Sequence, residues 1–294
     1  MKPVLLVKPA PEISLKTDFV RSDFEKRLKD NIKKALKKNG VEAEIVKGFG
    51  RMFVYSEDLN KCRKILSKIF GLHSIAQAFE FEVSDLNGIA GKTASLAEKV
   101  LKKGDSFAVR ASRAGKHDFS SHDVNVAAGD AILTQVNGVK VDLKNPDREI
   151  FVEVRDKKFY VYNEELKCPG GLPVGVEGNV ALFFSGKKEE LAAAWLLMKR
   201  GCSVYPVVEK YSPELEKALR SLVKWNHFNE FFLAEKKDLQ ALIDSRKIQA
   251  FVSAETGFRD FSAEDSGLKL PVFRPLLFME EKELSDLIGL IENE

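Results

Sequence analysis

The sequence predicts an α/β protein in which α+β units are followed by a parallel α/β domain. Residues 2–83 contain short apolar runs and helical stretches in the order β-α-β-β-α-β. The last third of the chain alternates short apolar runs with helices, which is the pattern of a parallel sheet. A length of 294 residues and a hydrophobic content of 44% are sufficient for two or three domains with buried cores.

The composition narrows the classes of function. The net charge is only +3 although 31% of the residues are charged, so a nucleic-acid surface would have to be a local patch. Frequent Lys and Glu are typical of thermophilic proteins. The three cysteines are widely separated and lack CxxC spacing, which indicates neither a disulfide framework nor a zinc site. The apolar runs are too short for a signal peptide or a membrane span, so we expect a cytoplasmic protein without a membrane partner.

The first segment has the element order of a ferredoxin-like unit. Its predicted elements are strands at Val4–Val7, Glu44–Val46, Met52–Tyr55 and from His73, and helices at Asp18–Lys38 and Asp58–Phe70. Thr17 and Asn39-Gly40 have the residue types of a helix start and a helix stop around the first helix. This helix carries many cations, including Arg27 and Lys34. They indicate either a solvated face or a stripe that binds nucleic acid.

A basic segment lies in the middle of the chain. The predicted elements there are helices at Ile89–Leu101 and Ser121–Thr134, a strand at Phe107–Arg110, and an antiparallel hairpin at Ile150–Val154 and Phe159–Tyr162. A loop that contains Arg113, Lys116 and His117 follows the strand that ends at Arg110. Arg110, Arg113 and Lys116 can bind phosphate oxygens, and His117 beside Phe119 can stack on a base. The alternative is an ordinary basic surface loop. A metal pair of His117 and His122 would lack a third ligand, so we expect no metal there.

A Pro/Gly-rich linker, Pro169–Gly175, precedes the last third of the chain. A predicted strand at Val180–Phe184, a turn at Ser185-Gly186 and a helix at Lys187–Arg200 then form the frame in which α/β proteins bind phosphate. Further predicted elements are strands at Val204–Val208, Phe231–Ala234 and Ala250–Ser253, and helices at Pro213–Trp225 and Lys237–Ser245.

Several motifs together resemble the tRNA 4-thiouridine synthases, which are tRNA sulfurtransferases. They are Val141-Asp142-Leu143, Asn145-Pro146-Asp147, Tyr160-Val161-Tyr162, the Pro169–Gly175 linker and Ala193–Gly201. The resemblance covers essentially the whole chain. It implies a ferredoxin-like domain at residues 1–75, a THUMP RNA-binding domain at 76–166, a linker at 167–178, and a pyrophosphatase-loop (PP-loop) domain, adenine nucleotide α-hydrolase-like, at 179–294. It also implies tRNA as partner, ATP and Mg²⁺ as cofactors, a sulfur donor and a homodimer.

The sequence departs from that family where the nucleotide should bind. The family loop reads Ser-Gly-Gly-x-Asp-Ser, whereas this chain has Ser185-Gly186-Lys187-Lys188-Glu189-Glu190. A lysine replaces the second glycine, Glu189 replaces the aspartate, and Glu190 replaces the last serine. Thr256 and Gly257 lie near the position where the family has a second segment that lines the nucleotide pocket, with the sequence Thr-Gly-Glu/Asp. We therefore predict a degenerate nucleotide site at Ser185, Gly186, Lys187, Glu189, Thr256 and Gly257.

The sequence does not identify a catalytic residue. The family's sulfur relay uses a cysteine in the C-terminal domain, and this chain has none after Cys202. Asp260, Glu264 and Asp265 could bind a cation, or they could belong to a polar loop.

The main hypothesis is a tRNA-binding protein of tRNA modification in which ATP-dependent thiolation is impaired or lost. One alternative is an active tRNA sulfurtransferase that adenylates uridine and uses an external sulfur donor. Another is a non-catalytic scaffold for a tRNA-modifying partner. A third is a different small-molecule site with Lys187 or Lys188 as an anion ligand.

Overall fold

The computed structural model of the protein describes residues 1–48, 50–82, 85–225, 233–257 and 270–293. The chain divides into two compact units. The first comprises Met1–Val7, Val46–Leu59 and Ile75–Leu166, and the second comprises Lys8–Ile45, Asn60–Ser74 and Lys167–Glu294. The four-part boundaries expected from the sequence stay a prediction.

A mixed β-sheet contains the strands of the first two thirds of the chain. They are β1 (Lys2–Pro9), β2 (Glu44–Gly48), β3 (Arg51–Tyr55), β4 (Leu72–Glu82), β5 (Ser106–Ala114), β6 (Lys140–Val141), β7 (Arg148–Arg155), β8 (Lys158–Tyr162) and β9 (Leu166–Lys167). Their order is β2-β3-β1-β4-β8-β7-β5-β6, and β9 pairs with β4. The order β2-β3-β1-β4, with β1 antiparallel to β3, confirms the ferredoxin-like unit.

The strands β5 to β8 include parallel pairs in addition to the antiparallel hairpin that the sequence indicated. The hairpin of β7 and β8 is antiparallel as predicted, but β5 runs parallel to both β7 and β6. A helix between β5 and these strands makes a crossover connection, which joins parallel strands. The sequence shows the helix, but pairing between residues about 40 positions apart leaves no local signal.

Nine α-helices lie within the described residues. They are α1 (Pro11–Ser14), α2 (Asp18–Lys38), α3 (Leu59–Leu66), α4 (Leu86–Ala97), α5 (Ser121–Gln135), α6 (Lys188–Lys199), α7 (Pro213–Val223), α8 (Leu239–Arg246) and α9 (Glu281–Asn293). Helix α2 has the predicted bounds, although the Thr17 side chain makes no capping hydrogen bond. Ser120 caps α5 in a capping box with Asp123. Helix α3 ends at Leu66, four residues before the predicted end.

A buried carboxylate joins three strands in the core of the first unit. Glu153 on β7 is only 3% exposed. It accepts hydrogen bonds from Arg51 on β3 (Nε–Oε2, 3.0 Å), from Arg155 (Nη2–Oε2, 2.8 Å) and from the hydroxyl of Tyr162 on β8 (2.9 Å). Burial and the neighbouring carboxylates of Glu153 and Glu165 raise the pKa of Tyr162. The cost of burying this charge is thus offset by several donors.

The second unit contains a parallel sheet with helices on both faces. Its strands are β10 (Asn179–Phe183), β11 (Ser203–Val208), β12 (Ala234–Glu235), β13 (Ile248–Val252) and β14 (Val272–Phe273), in the order β12-β11-β10-β13-β14. Val180 and Leu182 pack in a core with α6, α7 and α9, whereas Ala181 and Phe183 pack in a core with α8. The expected parallel domain is confirmed. The predicted strand Phe231–Ala234 lies mostly outside the described residues.

The Pro/Gly-rich linker is firmly held. Leu172 donates its backbone N–H to the carbonyl of Lys199 at the end of α6, and Gly175 donates to the carbonyl of Gly201. The buried amide of Asn31 on α2 donates to the carbonyl of Val174 at 3.1 Å. Gly171 has φ +74°, and a Cβ there would lie 2.2 Å from the Lys199 oxygen. Only glycine allows the linker to pass this close to the helix.

No helix within the described residues combines enough length and apolar character to cross a lipid bilayer.

Two adjacent glycines of the linker provide a matched test of this close contact. Gly170 has φ +71° but open space around its Cβ position. We expect Gly170→Ala to cost about 1–2 kcal/mol because of its left-handed backbone. Gly171→Ala should cost at least about 2 kcal/mol more because its Cβ would overlap a backbone oxygen. Urea unfolding of both variants measures the difference, and equal losses would show that the linker is free to move away from α6.

Candidate nucleotide site and basic surface

The predicted nucleotide-site residues lie at the carboxyl ends of the parallel strands. β10 continues into the Ser185–Lys187 turn and α6, and its neighbour β13 continues into Ser253–Gly257. β10 pairs with β11 on one side and with β13 on the other, so a crevice opens between the two connections, where open α/β sheets bind ligands. A cavity of about 590 Å³ occupies this place. Its lining residues are Phe183, Lys187, Glu189, Glu190 and 252–257.

The cavity brings together four of the predicted residues, Lys187, Glu189, Thr256 and Gly257, and their role in nucleotide binding stays a prediction. Ser185 and Gly186 lie in the adjoining turn and are exposed. Sequence reasoning missed Glu255, which lines the cavity and forms an ion pair with Arg274 (Nε–Oε2, 3.3 Å). Its signals in the sequence were its position two residues after a predicted strand and its place next to Thr256 and Gly257. The predicted cation ligands Asp260, Glu264 and Asp265 lie outside the described residues. No cluster of three metal-ligating side chains occurs in the part of the chain that the structure describes.

The turn between β10 and α6 converges on the carboxylate of Glu190. Its Oε2 accepts backbone N–H bonds from Ser185 (2.8 Å), Gly186 (3.1 Å) and Lys187 (3.0 Å), and its Oε1 accepts from the Ser185 hydroxyl (2.8 Å). Glu190 is 8% exposed. Gly186 has φ +99°, which turns successive N–H groups toward one point. Such a concave set of N–H groups at a helix N-terminus is an anion-binding nest.

The nest is therefore filled by an anion from the chain itself. Glu190 is the third residue of α6, where a glutamate caps the first turn by accepting the N–H of the residue before the helix. The carboxylate also takes the two preceding N–H groups. Lys188 forms an ion pair with Glu292 on α9 at 2.8 Å. Lys188 and the three N–H groups thus all have partners within the chain itself.

The predicted basic loop begins later than expected. Arg110 and Arg113 both lie on β5, which extends to Ala114 because residues 107–114 pair with β7 in parallel. Arg110 forms an ion pair with Glu149 (Nε–Oε1, 2.7 Å) and donates to the carbonyl of Leu143. Arg110 is therefore engaged in structural contacts. The prediction of a loop was wrong because parallel pairing with a distant strand extends β5.

The remaining predicted residues of this segment form a small cluster at the end of β5. Arg113 donates to the carbonyl of Gly115 at 2.8 Å and lies 3.5 Å from Nδ1 of His117. Nε2 of His117 lies 2.7 Å from the carbonyl oxygen of Asp156 in the β7–β8 turn. A carbonyl only accepts, so Nε2 carries the proton. The His117 ring lies 5.2 Å from that of Phe119, and the side chains of Arg113 and Lys116 are exposed.

An aromatic cleft adjoins this cluster in the first unit. It encloses about 720 Å³. Its lining includes the aromatic residues Phe53, Tyr55 and Tyr160, the cations Lys47, Arg155, Lys157 and Lys158, and Gly115 and Asp156. Phe53 and Tyr160 stack at 4.5 Å. Sequence reasoning missed this cleft because its walls come from segments about 100 residues apart.

The other two predicted RNA-binding residues, Arg27 and Lys34, belong to the second unit. Both are exposed on α2, two helical turns apart, on the face away from the buried residues Leu28 and Ile32.

Comparisons with known proteins identify the domains. Residues 4–76 match the ThiI ferredoxin-like domain, and residues 83–164 match the THUMP domain. A probable tRNA sulfurtransferase of Methanosarcina mazei is 30% identical over 323 residues, which cover 94% of this chain and 79% of that protein. A probable tRNA sulfurtransferase of Saccharolobus solfataricus is 29% identical, and the match covers 97% of this chain and 85% of that protein.

Two solved structures have the same fold. The crystal structure of PH1313 from Pyrococcus horikoshii has a TM-score of 0.85 and 29% identity, and the match covers 98% of this chain and 99% of that one. A 4-thiouridine synthetase–RNA complex with bound ATP has a TM-score of 0.79 at 22% identity, and the match covers 99% of this chain and 85% of that one. At that identity the likeness shows the fold alone.

The identity to the Methanosarcina protein extends over nearly the whole chain and most of the relative, and both N-terminal domains match. The chain therefore belongs to the ThiI-like tRNA sulfurtransferase family of tRNA modification, with a ferredoxin-like domain, a THUMP domain and a C-terminal parallel sheet consistent with the PP-loop fold.

Proposed function

We propose that this protein binds tRNA through the first unit and acts in tRNA modification in the cytoplasm. The observation that carries the proposal is the cluster of Arg113, Lys116 and His117 beside the aromatic cleft. Exposed cations bind phosphate oxygens, and the half-buried rings of His117 and Phe119 next to them can stack on unpaired bases, whereas Phe53 and Tyr160 in the cleft are buried. The THUMP match and the RNA held by the structurally similar synthetase support the same partner.

We further propose that ATP-driven thiolation is impaired or lost. The residues of the nest do not fit a nucleotide phosphate in this arrangement, because Glu190 already accepts its three N–H groups. A phosphate charge about 4 Å from that carboxylate would be repelled by on the order of 4 kcal/mol at an effective dielectric constant of 20. Lys187 replaces the family's second glycine, and its backbone N–H is one of the three donors that Glu190 occupies. These contacts support the proposal of a degenerate loop.

The cysteines support the same proposal. Cys62 and Cys202 are buried, and Cys168 next to the linker is half-buried. Burial raises the pKa of Cys168 to about 12, and burial together with Glu177 raises the pKa of Cys202. The nucleophile in sulfur transfer is a thiolate, and these environments favour the neutral thiol.

The second candidate is an active tRNA sulfurtransferase, and the relatives favour it over loss of activity. Both archaeal relatives are described as probable tRNA sulfurtransferases. The cavity of about 590 Å³ at the strand ends keeps room for a ligand. The Methanosarcina alignment spans 323 residues, more than the 294 of this chain, so the relative has residues that this chain lacks. An active enzyme of this form would take sulfur from an external donor.

Titration with ATP and magnesium separates the two candidates. We expect no heat of binding at up to about 1 mM ATP–Mg²⁺, because a carboxylate occupies the phosphate nest. A matched assay follows adenylation of tRNA and formation of 4-thiouridine with a persulfide donor. Micromolar binding together with adenylated tRNA would establish the active sulfurtransferase instead.

The salt dependence of tRNA binding tests the basic surface. The association constant for tRNA falls as the salt concentration rises. The double substitution of Arg113 and Lys116 by alanine should make the slope of log K against log salt concentration less steep, by about 1 for each lost phosphate contact. Arg110→Ala should leave the slope nearly unchanged because Glu149 already pairs with that guanidinium. Lys217→Ala, an exposed cation on α7, is the matched control. An unchanged slope in the double variant would exclude this cluster from the RNA interface.

Alkylation tests the cysteines. With a pKa of about 12, Cys168 is almost wholly a neutral thiol at pH 8, so its alkylation by iodoacetamide should rise with pH throughout the range 8–10. At pH 8 the rate should be at least about 100-fold below that of an ordinary cysteine. Mass spectrometry of the peptides gives the rate, and the chain unfolded in guanidinium is the control. Fast modification of the folded protein at pH 7 would identify a reactive sulfur acceptor.

A further inference from the structure

The N–H donors of the nest between β10 and α6 outnumber the lone pairs of the single oxygen that accepts them. Three N–H groups converge on one oxygen of Glu190, although a carboxylate oxygen offers two lone pairs. The other oxygen receives only the Ser185 hydroxyl among these donors. A phosphate group would distribute the same four donors over three or four oxygens. The backbone therefore keeps the shape of a phosphate nest even though a carboxylate fills it.

We propose that Glu190 is a built-in anion that closes this nest to phosphates, and that it is the determinant that removes nucleotide binding from this chain. The inference rests on the proposed loss of ATP-driven thiolation and assigns that loss to one side chain. The other changes in the loop are compatible with an open nest. Lys187 takes part in the nest only through its backbone N–H, while its side chain is exposed and lines the cavity as a cation.

The geometry explains why a single residue is enough. Glu190 is the third residue of α6, and its chain reaches back over one helical turn to the N–H groups that precede the helix. Glu190 as a whole is only 8% exposed, whereas Ser185, Gly186 and Lys187 around it are exposed. A serine at this position is too short to place its hydroxyl on all three N–H groups. Removal of the carboxylate would thus leave the nest open toward solvent and the cavity.

The proposal predicts a gain of binding in Glu190→Ser. Isothermal titration with inorganic pyrophosphate and with ATP–Mg²⁺ should give dissociation constants at least about 100-fold lower for this variant than for the unsubstituted protein. Glu190→Gln keeps the length of the side chain and an accepting oxygen but loses the charge. It should still fill the nest and gain less than about tenfold. Glu189→Ser removes an equal charge from the cavity wall one residue away, outside the hydrogen bonds of the nest, and should also gain less than about tenfold.

The outcomes distinguish this inference from the proposed function. A gain confined to Glu190→Ser, for pyrophosphate alone or for both ligands, supports the closed nest. A folded Glu190→Ser that binds neither probe overturns the inference and leaves the proposed loss of thiolation intact. Tight ATP–Mg²⁺ binding by the unsubstituted protein overturns both. An equal gain in Glu189→Ser shows that general charge removal, not opening of the nest, controls binding.

Loss of the helix cap is controlled separately. Removing a capping interaction lowers stability by about 0.5–2 kcal/mol. Thermal unfolding of each variant with and without 1 mM pyrophosphate therefore accompanies the titration. If Glu190→Ser is too unstable to titrate, its unfolding temperature should still rise with pyrophosphate. No rise in this variant would contradict the proposal, and Glu189→Ser again provides the baseline.

Discussion

The hydrogen bonds between Glu190 and the turn before α6 determine the shape of the edge of the sheet where a ligand would bind. The carboxylate accepts three successive N–H groups, which fixes both the turn after β10 and the residue that precedes the helix. The other end of α6 is fixed by the linker, since Leu172 donates to Lys199 and Gly171 passes close to the same carbonyl. Between these ends most side chains of α6 are buried. The loop is therefore rigidly placed without any bound nucleotide.

The parts of the fold that depend on local physics could be predicted from the sequence. The apolar period of α2 and its Asn39-Gly40 stop predicted its bounds, and the order of strands and helices predicted both the ferredoxin-like sheet and the parallel sheet. Elements that exist only through distant pairing could not be predicted. β5 extends four residues beyond the predicted end at Arg110 because it pairs with β7, and the two-residue strands β6 and β14 have no periodicity of their own.

In the candidate sites, too, features that depend on local sequence could be predicted and features that depend on tertiary structure could not. Thr256 was placed with Lys187 and Glu189 by the family resemblance, and the three residues line one cavity because the carboxyl ends of neighbouring parallel strands meet at one edge. The sequence also indicated that acidic residues suit the first turn of α6. It could not show that Glu190, rather than Glu189, folds back into the nest, since that depends on helical geometry and on φ at Gly186. The aromatic cleft required tertiary structure because Phe53 and Tyr160 meet only in the sheet.

If nucleotide chemistry is lost as proposed, an internal anion also explains how the strand–turn–helix frame persists. A nest without an anion leaves several N–H groups converging with their dipoles aligned, and each unsatisfied donor away from water costs about 1–3 kcal/mol. Random loss of the ligand would favour a rearranged turn. A glutamate at the third helical position satisfies the same donors by a short local path, at the cost of fixing one side chain. Selection for stability alone would retain it, so the preserved loop is not by itself a sign of preserved catalysis.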